Sequence, residues 1–452
     1  MRILFYSTNS NIYKGENFNI KNFPTMQEQF ESLAKKYSKH TFIASSSLPG
    51  MFLFDLNENE ILNKSDLIQY EKINFQDEKE IARFLSTFNP DVAIASTFFT
   101  EPFDWLTAKD ALVAEELRNL GIKTYCHPLN LSLDCFDKWK THQLLEKGNF
   151  LCPKAVYVHH ELFMNAGNRK EILSNVYKDA TLFQIKKLNF PVVVKDTTGL
   201  SSYGMDVLEN FFEVKDFLKS KRFTSDRIIE EFIKGKQAGV EIHGTKNNYT
   251  VFEPYLFSVN KYGITSPKQS VKAGPLKNEN YKLDELKQTL LKLADFCEFE
   301  GIAQIDLVFD GKNWFILEIN PRLSGMTKCY CAQKEKSIHE LIFDSTFLSE
   351  QNQQNENQKI KNQKSNFVID IKFPHLDEEE IQKLKKLAFV KHIYQIQNKA
   401  AKQIREQGFL EIIFTGKTKS ELKENLEILK NVFPQKMEST FYKNAHYLIE
   451  DL

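Results

Sequence analysis

Residues Gly301 to Thr327 read GIAQIDLVFDGKNWFILEINPRLSGMT. Two apolar runs, IAQIDLVF and NWFILEIN, flank the dipeptide Asp310-Gly311, a strong hairpin signal between β-rich segments. Side chains alternate across a strand, so Glu318 and Asn320, two apart, share a face. The turn is expected to bring Asp306 back alongside them. Two carboxylates and an amide oxygen on one sheet surface suit Mg²⁺, which usually takes one or two protein carboxylates plus waters and phosphate oxygens. Arg322 adds a fixed cation two residues further on. Burying charge is expensive, which argues for a purpose behind Glu318 and Asn320. The alternative is a half-exposed hairpin on which both point to solvent.

Around this hairpin lies a chain of 452 residues, too long for one compact core and long enough for two to four domains. Lys plus Arg and Asp plus Glu both number 60, so the formal charge is zero and a general nucleic-acid or anionic-membrane surface is disfavoured. No apolar run reaches the roughly 18 residues of a membrane span. The opening MRILFYSTNS turns polar at once and reads as a first strand, not a signal peptide. The six cysteines are scattered apart from Cys329 and Cys331, which fits free thiols in a reducing cytoplasm.

Upstream of the hairpin, three stretches carry polar groups in suggestive places. Asp137 is a plausible N-cap for a helix from Lys138 to about Lys147, ended by Gly148. Lys138 and Lys140 are either functional cations or a solvated helix face. Phe190 to Lys195, FPVVVK, is a strand ending in lysine that runs into the loop DTTGLSSYGMD. Glycines let the backbone approach a phosphate, serine hydroxyls add donors, and Lys195 supplies a point charge. The P-loop spacing is absent, and a lone Gly/Ser loop is more often an ordinary turn. Ile228 to Ile233, IIEEFI, is a further strand whose end offers an apolar slot with backbone edges, or else an edge strand with exposed glutamates. A hairpin over Val240–Gly244 and Tyr249–Glu253, a polar stretch over 259–280 and a helix over Tyr281–Cys297 lead back to the opening element.

The N-terminal 130 residues alternate strands (Ile3–Ser7, Thr41–Ser45, Val92–Ser96, Lys123–Cys126) with helices (Met26–Tyr37, Glu78–Phe88, Ala108–Leu120). This pattern predicts a mostly parallel α/β domain. G-x-G-x-x-G is missing after the first strand, so a dinucleotide site there is not expected. The loops after Ser7 and Ser96 lie where α/β folds gather ligand groups. Lys336–Leu348 is expected to be helical. Residues 350–366, EQNQQNENQKIKNQKSN, form a polar linker. Residues 367–452 read strand, helix, strand, strand, helix, a small α+β module with the makings of a βαββαβ sandwich.

Taken in order, the helix-opening Asp-Lys, the strand-Lys with its Gly/Ser loop, the Glu-Glu-Phe-Ile strand and the Asp…Glu-x-Asn hairpin with Arg resemble the ATP-grasp superfamily of carboxylate–amine ligases. VVVKDTTGLSSYGM is similar to the lysine and Ser-Ser-x-Gly-Met loop of D-alanine–D-alanine ligases. EINPRLSG is similar to the Glu-x-Asn-x-Arg ending of L-amino acid ligases and biotin carboxylase-type enzymes. The resemblance covers about 135–345 well and implies α/β and α+β architecture. An N-terminal Rossmann-like preATP-grasp domain (1–130) precedes an ATP-grasp domain of central and ATP-binding subdomains (131–349), the linker, and a C-terminal α+β module (367–452).

The resemblance also implies roles. Lys138 and Lys195 would contact ATP phosphates, with Lys140 a rival for the first. Ser201, Ser202 and Gly204 would close over the phosphates. Glu230, Phe232 and Ile233 would line the adenine pocket, with edge hydrogen bonds from Glu230 and Ile233. Asp306, Glu318 and Asn320 would hold Mg²⁺, for which Mn²⁺ would substitute. Arg322 and Lys195 would be catalytic, Arg322 steadying the transferred phosphoryl group or acyl-phosphate. Two departures stand out. The ribose-binding glutamate of the family is Gln237 here, and an amide lacks charge-assisted strength toward a diol. The arginine that D-alanine ligases carry two residues before the metal aspartate is Gln304 here, which shifts the burden to Arg322.

The implied activity is ATP-dependent: a small carboxylate, an amino acid among the candidates, attacks the γ-phosphate and the acyl-phosphate is captured by an amine. ADP and phosphate are released in a cytoplasmic enzyme without nucleic-acid or membrane partners, and a homodimer is left open. The alternatives are a ligase or carboxylase of a purine-type or other metabolite acid, and a non-catalytic ATP-binding module.

Overall fold

The computed structural model describes residues 1–8, 20–46, 65–97, 106–164, 174–198, 205–259, 271–348, 366–374, 376–396, 409–437 and 439–452. The N-terminal elements are β1 (Arg2–Ser7), β2 (Ile20–Phe23), α1 (Met26–Lys36), β3 (Thr41–Ser46), β4 (Ile68–Lys72), α2 (Glu78–Ser86), β5 (Val92–Ala95), α3 (Leu106–Asn119) and β6 (Lys123–Tyr125). The expected helices start with real caps. Thr25 and Glu28 close a capping box on α1, and Asp77 accepts the N–H groups of Lys79 and Glu80 on α2. Five strands form a parallel sheet in the order β4-β3-β1-β5-β6. Strand order reverses at β1, so a crevice opens where β1 and β5 end, at Thr8 and Thr97, as anticipated for the loops after Ser7 and Ser96. β2 and β4 were not expected. β2 leaves this sheet altogether.

Two helices, α4 (Leu129–Phe136) and α5 (Lys138–Lys147), cross to a four-stranded antiparallel sheet. It is built from β7 (Ala155–Val158), α6 (His160–Met164), α7 (Val176–Ile185), β8 (Val192–Asp196), β9 (Asp206–Leu208), α8 (Phe211–Phe217) and β10 (Arg227–Glu231), with strand order β7-β10-β8-β9. Val192, Val194 and Ile229 pack beneath Ile185 and Phe217 to close it.

The third unit is a ten-stranded sheet. It contains β11 (Lys236–Thr245), β12 (Asn248–Val251), β13 (Tyr255–Phe257), β14 (Val271–Gly274), β15 (Gly301–Phe309) and β16 (Trp314–Asn320), with α9 (Leu283–Phe296) on one face and α10 (Thr327–Lys334) and α11 (Ile338–Phe343) following the hairpin. Leu286, Leu290 and Leu293 of α9, spaced on one helix face, bury themselves against Val240, Ile305 and Ile319. Each such side chain is worth about 1.5–3 kcal/mol of transfer free energy. The predicted helix over Lys336–Leu348 is shorter than expected, because Asp344–Leu348 continues as a π-helical turn.

The C-terminal residues depart from expectation in two ways. Their order is β17 (Phe367–Pro374), α12 (Glu378–Lys385), β18 (Val390–Ile396), β19 (Phe409–Gly416), α13 (Lys419–Val432) and α14 (Ser439–Asp451). The last element is a helix rather than a sixth sandwich element of strand type, since Phe441, Ala445, Leu448 and Ile449 recur with helical spacing and are all buried. And the module is not a separate sandwich. β17 pairs antiparallel with β14, so the sheet runs without a break β16-β15-β11-β13-β14-β17-β19-β18-β2, the N-terminal β2 completing its far edge.

Candidate active site

The hairpin β15–β16 has a four-residue loop, Asp310 to Asn313, in place of the expected tight two-residue turn. Gly311 takes φ +97°, and the Asp310 carboxylate accepts the N–H groups of Lys312 (2.7 Å) and Asn313 (2.6 Å). Pairing runs Phe309 to Trp314, Val308 to Phe315 and Leu307 to Ile316, then skips Leu317 and resumes as Asp306 to Glu318 and Gln304 to Asn320. The skip is a β-bulge. Directly opposed residues share a face, so an unbulged ladder would set Asp306 opposite Leu317 and put Glu318 with Ile305 on the apolar side. The bulge is what brings Asp306, Glu318 and Asn320 to one surface.

On that surface the polar groups interlock. Gln304 Nε2 donates to Asp306 Oδ1 at 2.7 Å, and Asn320 Nδ2 donates to Gln304 Oε1 at 3.0 Å and lies 3.5 Å from Asp306 Oδ2. Arg322 Nη2 donates to Asn320 Oδ1 at 2.9 Å. Burial raises the proton affinity of Asp306 well above the ordinary carboxylate range. The nearby Glu318 carboxylate raises it further, and Gln304, Arg322 and Lys272 pull it part of the way back. Two carboxylates held this close, with hard oxygens and an amide beside them, fit a divalent cation, which would relieve their mutual repulsion. Among the described residues no cluster of three or more His, Cys, Asp or Glu side chains forms a metal cage. A cation here would therefore draw its remaining ligands from phosphate oxygens and water.

α5 delivers a lysine to this surface. Asp137 Oδ1 caps it through Trp139 N (2.8 Å) and Lys140 N (3.2 Å), as the sequence suggested, and Lys138 N donates to Thr197 O at 2.7 Å, tying the helix start to the segment after β8. Lys138 Nζ lies 3.6 Å from Glu318 Oε1, whereas Lys140 turns outward to Asp134 at 3.7 Å. Lys195, one residue before the end of β8, forms an ion pair with Glu230 of β10. Lys195 sits opposite Ile228, so Glu230, two residues on, shares its face. Both residues are buried, with 8% and 5% exposure. The Glu230 carboxylate is thus turned on Lys195, not left open as an edge acceptor. Phe232 and Ile233 follow β10, half-buried, with Phe232 N bonded to Pro191 O at 3.0 Å, and Gln237 sits half-buried on β11 opposite Val308. Ser201, Ser202 and Gly204 lie outside the described residues.

Two features escaped the sequence reading. Glu241 of β11 is fully buried, and it accepts Ser324 Oγ at 2.9 Å and Thr327 Oγ1 at 2.6 Å on one oxygen and faces His243 Nε2 at 2.8 Å on the other. It therefore anchors the loop that carries Arg322. Its signal was a carboxylate on the same face as Gly239 and His243 in an otherwise apolar strand. The second is a cavity between this loop and the crevice of the parallel sheet, lined by Thr97, Asp110, Tyr125, His127, Arg322 and Leu323 among others. Asp110 is buried there, accepts Thr8 N at 3.0 Å, and has its pKa pushed up to about 6 by burial, with hydrogen bonds from Thr8 and Thr97 opposing the rise. Arg322 reaches the cavity on one side and Asn320 on the other.

Known proteins match this arrangement. The family model for the ATP-grasp domain matches residues 135–326. The D-alanine–D-alanine ligase of Buchnera aphidicola is 28% identical over 227 residues, covering 47% of this chain and 67% of its own. The carbamoyl-phosphate synthase of Methanobrevibacter smithii is 27% identical over 142 residues, covering 31% and 38%. The chain spans only part of the length of the curated relatives it matches, about half in the case of the Francisella philomiragia D-alanine–D-alanine ligase (55%). Among solved structures, the L-amino acid ligase from Bacillus licheniformis superposes with a TM-score of 0.62 at 14% identity over 96% of this chain and 97% of that one. The N5-carboxyaminoimidazole ribonucleotide synthetase from Thermus thermophilus does so with 0.59 at 11% over 95% and 98%. Among the described residues no helix is long and apolar enough to cross a membrane. Residues 135–326, which hold Lys138, Lys195, Asp306, Glu318, Asn320 and Arg322, thus match the family model of the ATP-grasp domain.

Proposed function

We propose that the protein is an ATP-dependent ligase that activates a small carboxylate as its acyl-phosphate and joins it to an amine. The carrying observation is Arg322. One guanidinium is hydrogen-bonded to Asn320 on the carboxylate-bearing sheet face and also lines the cavity next to the N-terminal sheet. ATP lies between the four-stranded sheet and the bulged hairpin. Lys195 and Lys138 meet its phosphates, Phe232 and Ile233 bound the adenine, and Gln237 meets the ribose. Asp306, Glu318 and Asn320 would hold Mg²⁺, with Mn²⁺ as a substitute, and the ion when bound supplies charge neutralisation for the phosphates. A carboxylate in the cavity then faces the γ-phosphate with Arg322 between its oxygens and the transferred group. Both reactants are anions, so screening and positioning supply most of the rate. Glu241 keeps the Arg322 loop from yielding. The acyl-phosphate must be shielded from water until an amine attacks it, and the enclosed setting of the cavity between two domains serves that end.

A second reading, a carboxylase or ligase of a metabolite acid that uses bicarbonate, draws on the N5-carboxyaminoimidazole ribonucleotide synthetase likeness and the carbamoyl-phosphate synthase match. ADP release across pairs of small carboxylates and amines, with and without bicarbonate, separates the two. The ligase reading expects release that needs both organic partners and disappears in Glu318→Ala while the thermal transition is kept. Unchanged turnover in that variant would sink the metal assignment. Nucleotide binding without ADP release on any pair would favour a non-catalytic module.

A further inference from the structure

Gln304 stands two residues from Asp306 on β15, on the same sheet face, and opposes Asn320 on β16. It is 6% exposed. The hydrogen bonds around it form a chain that can run in one direction only. A guanidinium has donors and no acceptor, so the atom of Asn320 that meets Arg322 Nη2 at 2.9 Å is Oδ1. That leaves Asn320 Nδ2 to donate, and the Gln304 atom it meets at 3.0 Å is Oε1. Gln304 Nε2 is then the remaining donor, and it meets Asp306 Oδ1, a carboxylate acceptor, at 2.7 Å. Arg322 at one end and Asp306 at the other thus fix both amides between them. Turning either amide over would set donor against donor.

Glu241, the acceptor that stands opposite Gln304 on β11, is already committed. One of its oxygens takes Ser324 Oγ and Thr327 Oγ1, and the other faces His243 Nε2. Packing closes the space beside Gln304 as well. A Cβ at Gly239, the residue opposite Asp306, would stand 3.2 Å from Gln304 Nε2 and closer still to Met326 Sδ and Phe257 Cζ. Gln304 is itself held in one pose, which is what lets it hold its neighbours.

Asp306 and Asn320 are each ambiguous as ligands for a hard cation. An amide offers such an ion its oxygen or, turned over, an NH₂ group that the ion repels. A carboxylate offers either oxygen or both. We propose that Gln304 is a positioning residue of the metal site. It commits the Asn320 nitrogen and one Asp306 oxygen to itself, which reserves Asn320 Oδ1 and Asp306 Oδ2 for the cation. Through Asn320 it also sets the place of Arg322. The position needs a donor toward Asp306 and an acceptor toward Asn320, which an arginine cannot supply. This rests on the reading of Asp306, Glu318 and Asn320 as a divalent-cation site.

The test is Mn²⁺ binding to the full-length protein with saturating ADP, followed by loss of the free-ion electron paramagnetic resonance signal, beside metal-free ADP affinity and the thermal transition. Gln304→Met keeps the length of the side chain and removes both hydrogen bonds. It should weaken Mn²⁺ by about tenfold or more, with metal-free ADP binding within about twofold of the parent and the thermal transition kept. A carboxylate at the neighbouring position has no wrong way round. In the Asn320→Asp background the same substitution should therefore weaken Mn²⁺ by less than about threefold. Unchanged Mn²⁺ affinity in Gln304→Met, or an equal loss in the Asn320→Asp background, would overturn the proposal and leave Gln304 a packing residue. A parent protein that takes up no Mn²⁺ beside ADP would strike at the cation reading itself and take the proposal with it.

Discussion

His339 offers a quantitative test of how the N-terminal and ATP-grasp domains dock. It lies on α11, fully buried, with its ring stacked on Phe30 of α1 (centroids 3.4 Å apart, 24° between planes) and edge-on to Phe5 (5.5 Å). Neither ring nitrogen has a hydrogen-bond partner among the described residues. Burial pushes its pKa down from 6.5 to about 3. A base whose folded pKa is depressed is protonated first in the unfolded chain, so its presence costs stability as pH falls through 6.5, and the loss levels off only near the folded value. Between about pH 7.5 and 5.5 the unfolded chain gains one unit's worth of proton binding, about 1.4 kcal/mol. At the upper pH, His339→Leu removes two desolvated nitrogens, a gain of about 1–3 kcal/mol, and forfeits an aromatic contact of about 0.5–1.5 kcal/mol. The variant should be more stable by about 1 kcal/mol near pH 7.5 and by about 2.5 kcal/mol near pH 5.5. Urea unfolding followed by circular dichroism at both pH values measures this. Buried acids such as Asp110, whose raised pKa acts in the opposite sense, contribute equally to both proteins and cancel. A variant that is weaker at both pH values, with a gap that does not widen on acidification, would refute the account of a neutral, unsatisfied imidazole at the domain boundary.

Three further outcomes follow from the site. Glu230→Gln leaves the Lys195 ammonium buried without its counter-charge and should cost about 3 kcal/mol in denaturant unfolding, since removing one partner of a buried pair is far worse than losing an exposed one. Deleting Leu317 removes the bulge but leaves Glu318 opposite Asp306 and Asn320 opposite Gln304, so Mg²⁺ should still strengthen nucleotide binding in calorimetry; loss of the Mg²⁺ dependence would contradict the parity argument. Lys138→Ala should weaken Mg-ATP binding by about tenfold or more, while Lys140→Ala, whose ammonium turns outward to Asp134, should change it less than about twofold.

Much of this arrangement could be read from residue order, because local signals and tertiary packing agree. The N-terminal strands and helices, the Asp137 cap, the Lys195 strand and the β15–β16 pair fall within a residue or two of where alternation and capping put them. The meeting of Asp306, Glu318 and Asn320 on one surface was also legible, though for an incomplete reason. Period-two alternation from a tight turn puts Asp306 and Glu318 on opposite faces; they meet only because Leu317 is skipped, and nothing in the strand WFILEIN marks which residue will be skipped. The Lys195–Glu230 pair was missed because the two were assigned to separate ends of a nucleotide, while antiparallel pairing of β8 and β10 sets them face to face. Glu241 was invisible because its meaning comes from Ser324 and Thr327, 83 and 86 positions away, beyond any local pattern. β18's partnership with β2 spans almost the whole chain.

The seam between β14 and β17 bears on how this protein tolerates being cut. Residues 350–366 look like a natural place to divide the chain, polar and without core-forming side chains. Yet the sheet passes from Val271–Gly274 straight into Val368–Ile371. Truncation before β17 would strip β14 of its neighbour and expose a row of unpaired backbone donors and acceptors beside the buried side chains of Val271 and Ala273. Such an edge is a template for another chain's strand. Shortened forms ending in the linker should therefore self-associate into insoluble material rather than behave as a minimal catalytic core, and any natural processing there would act as an off-switch through aggregation.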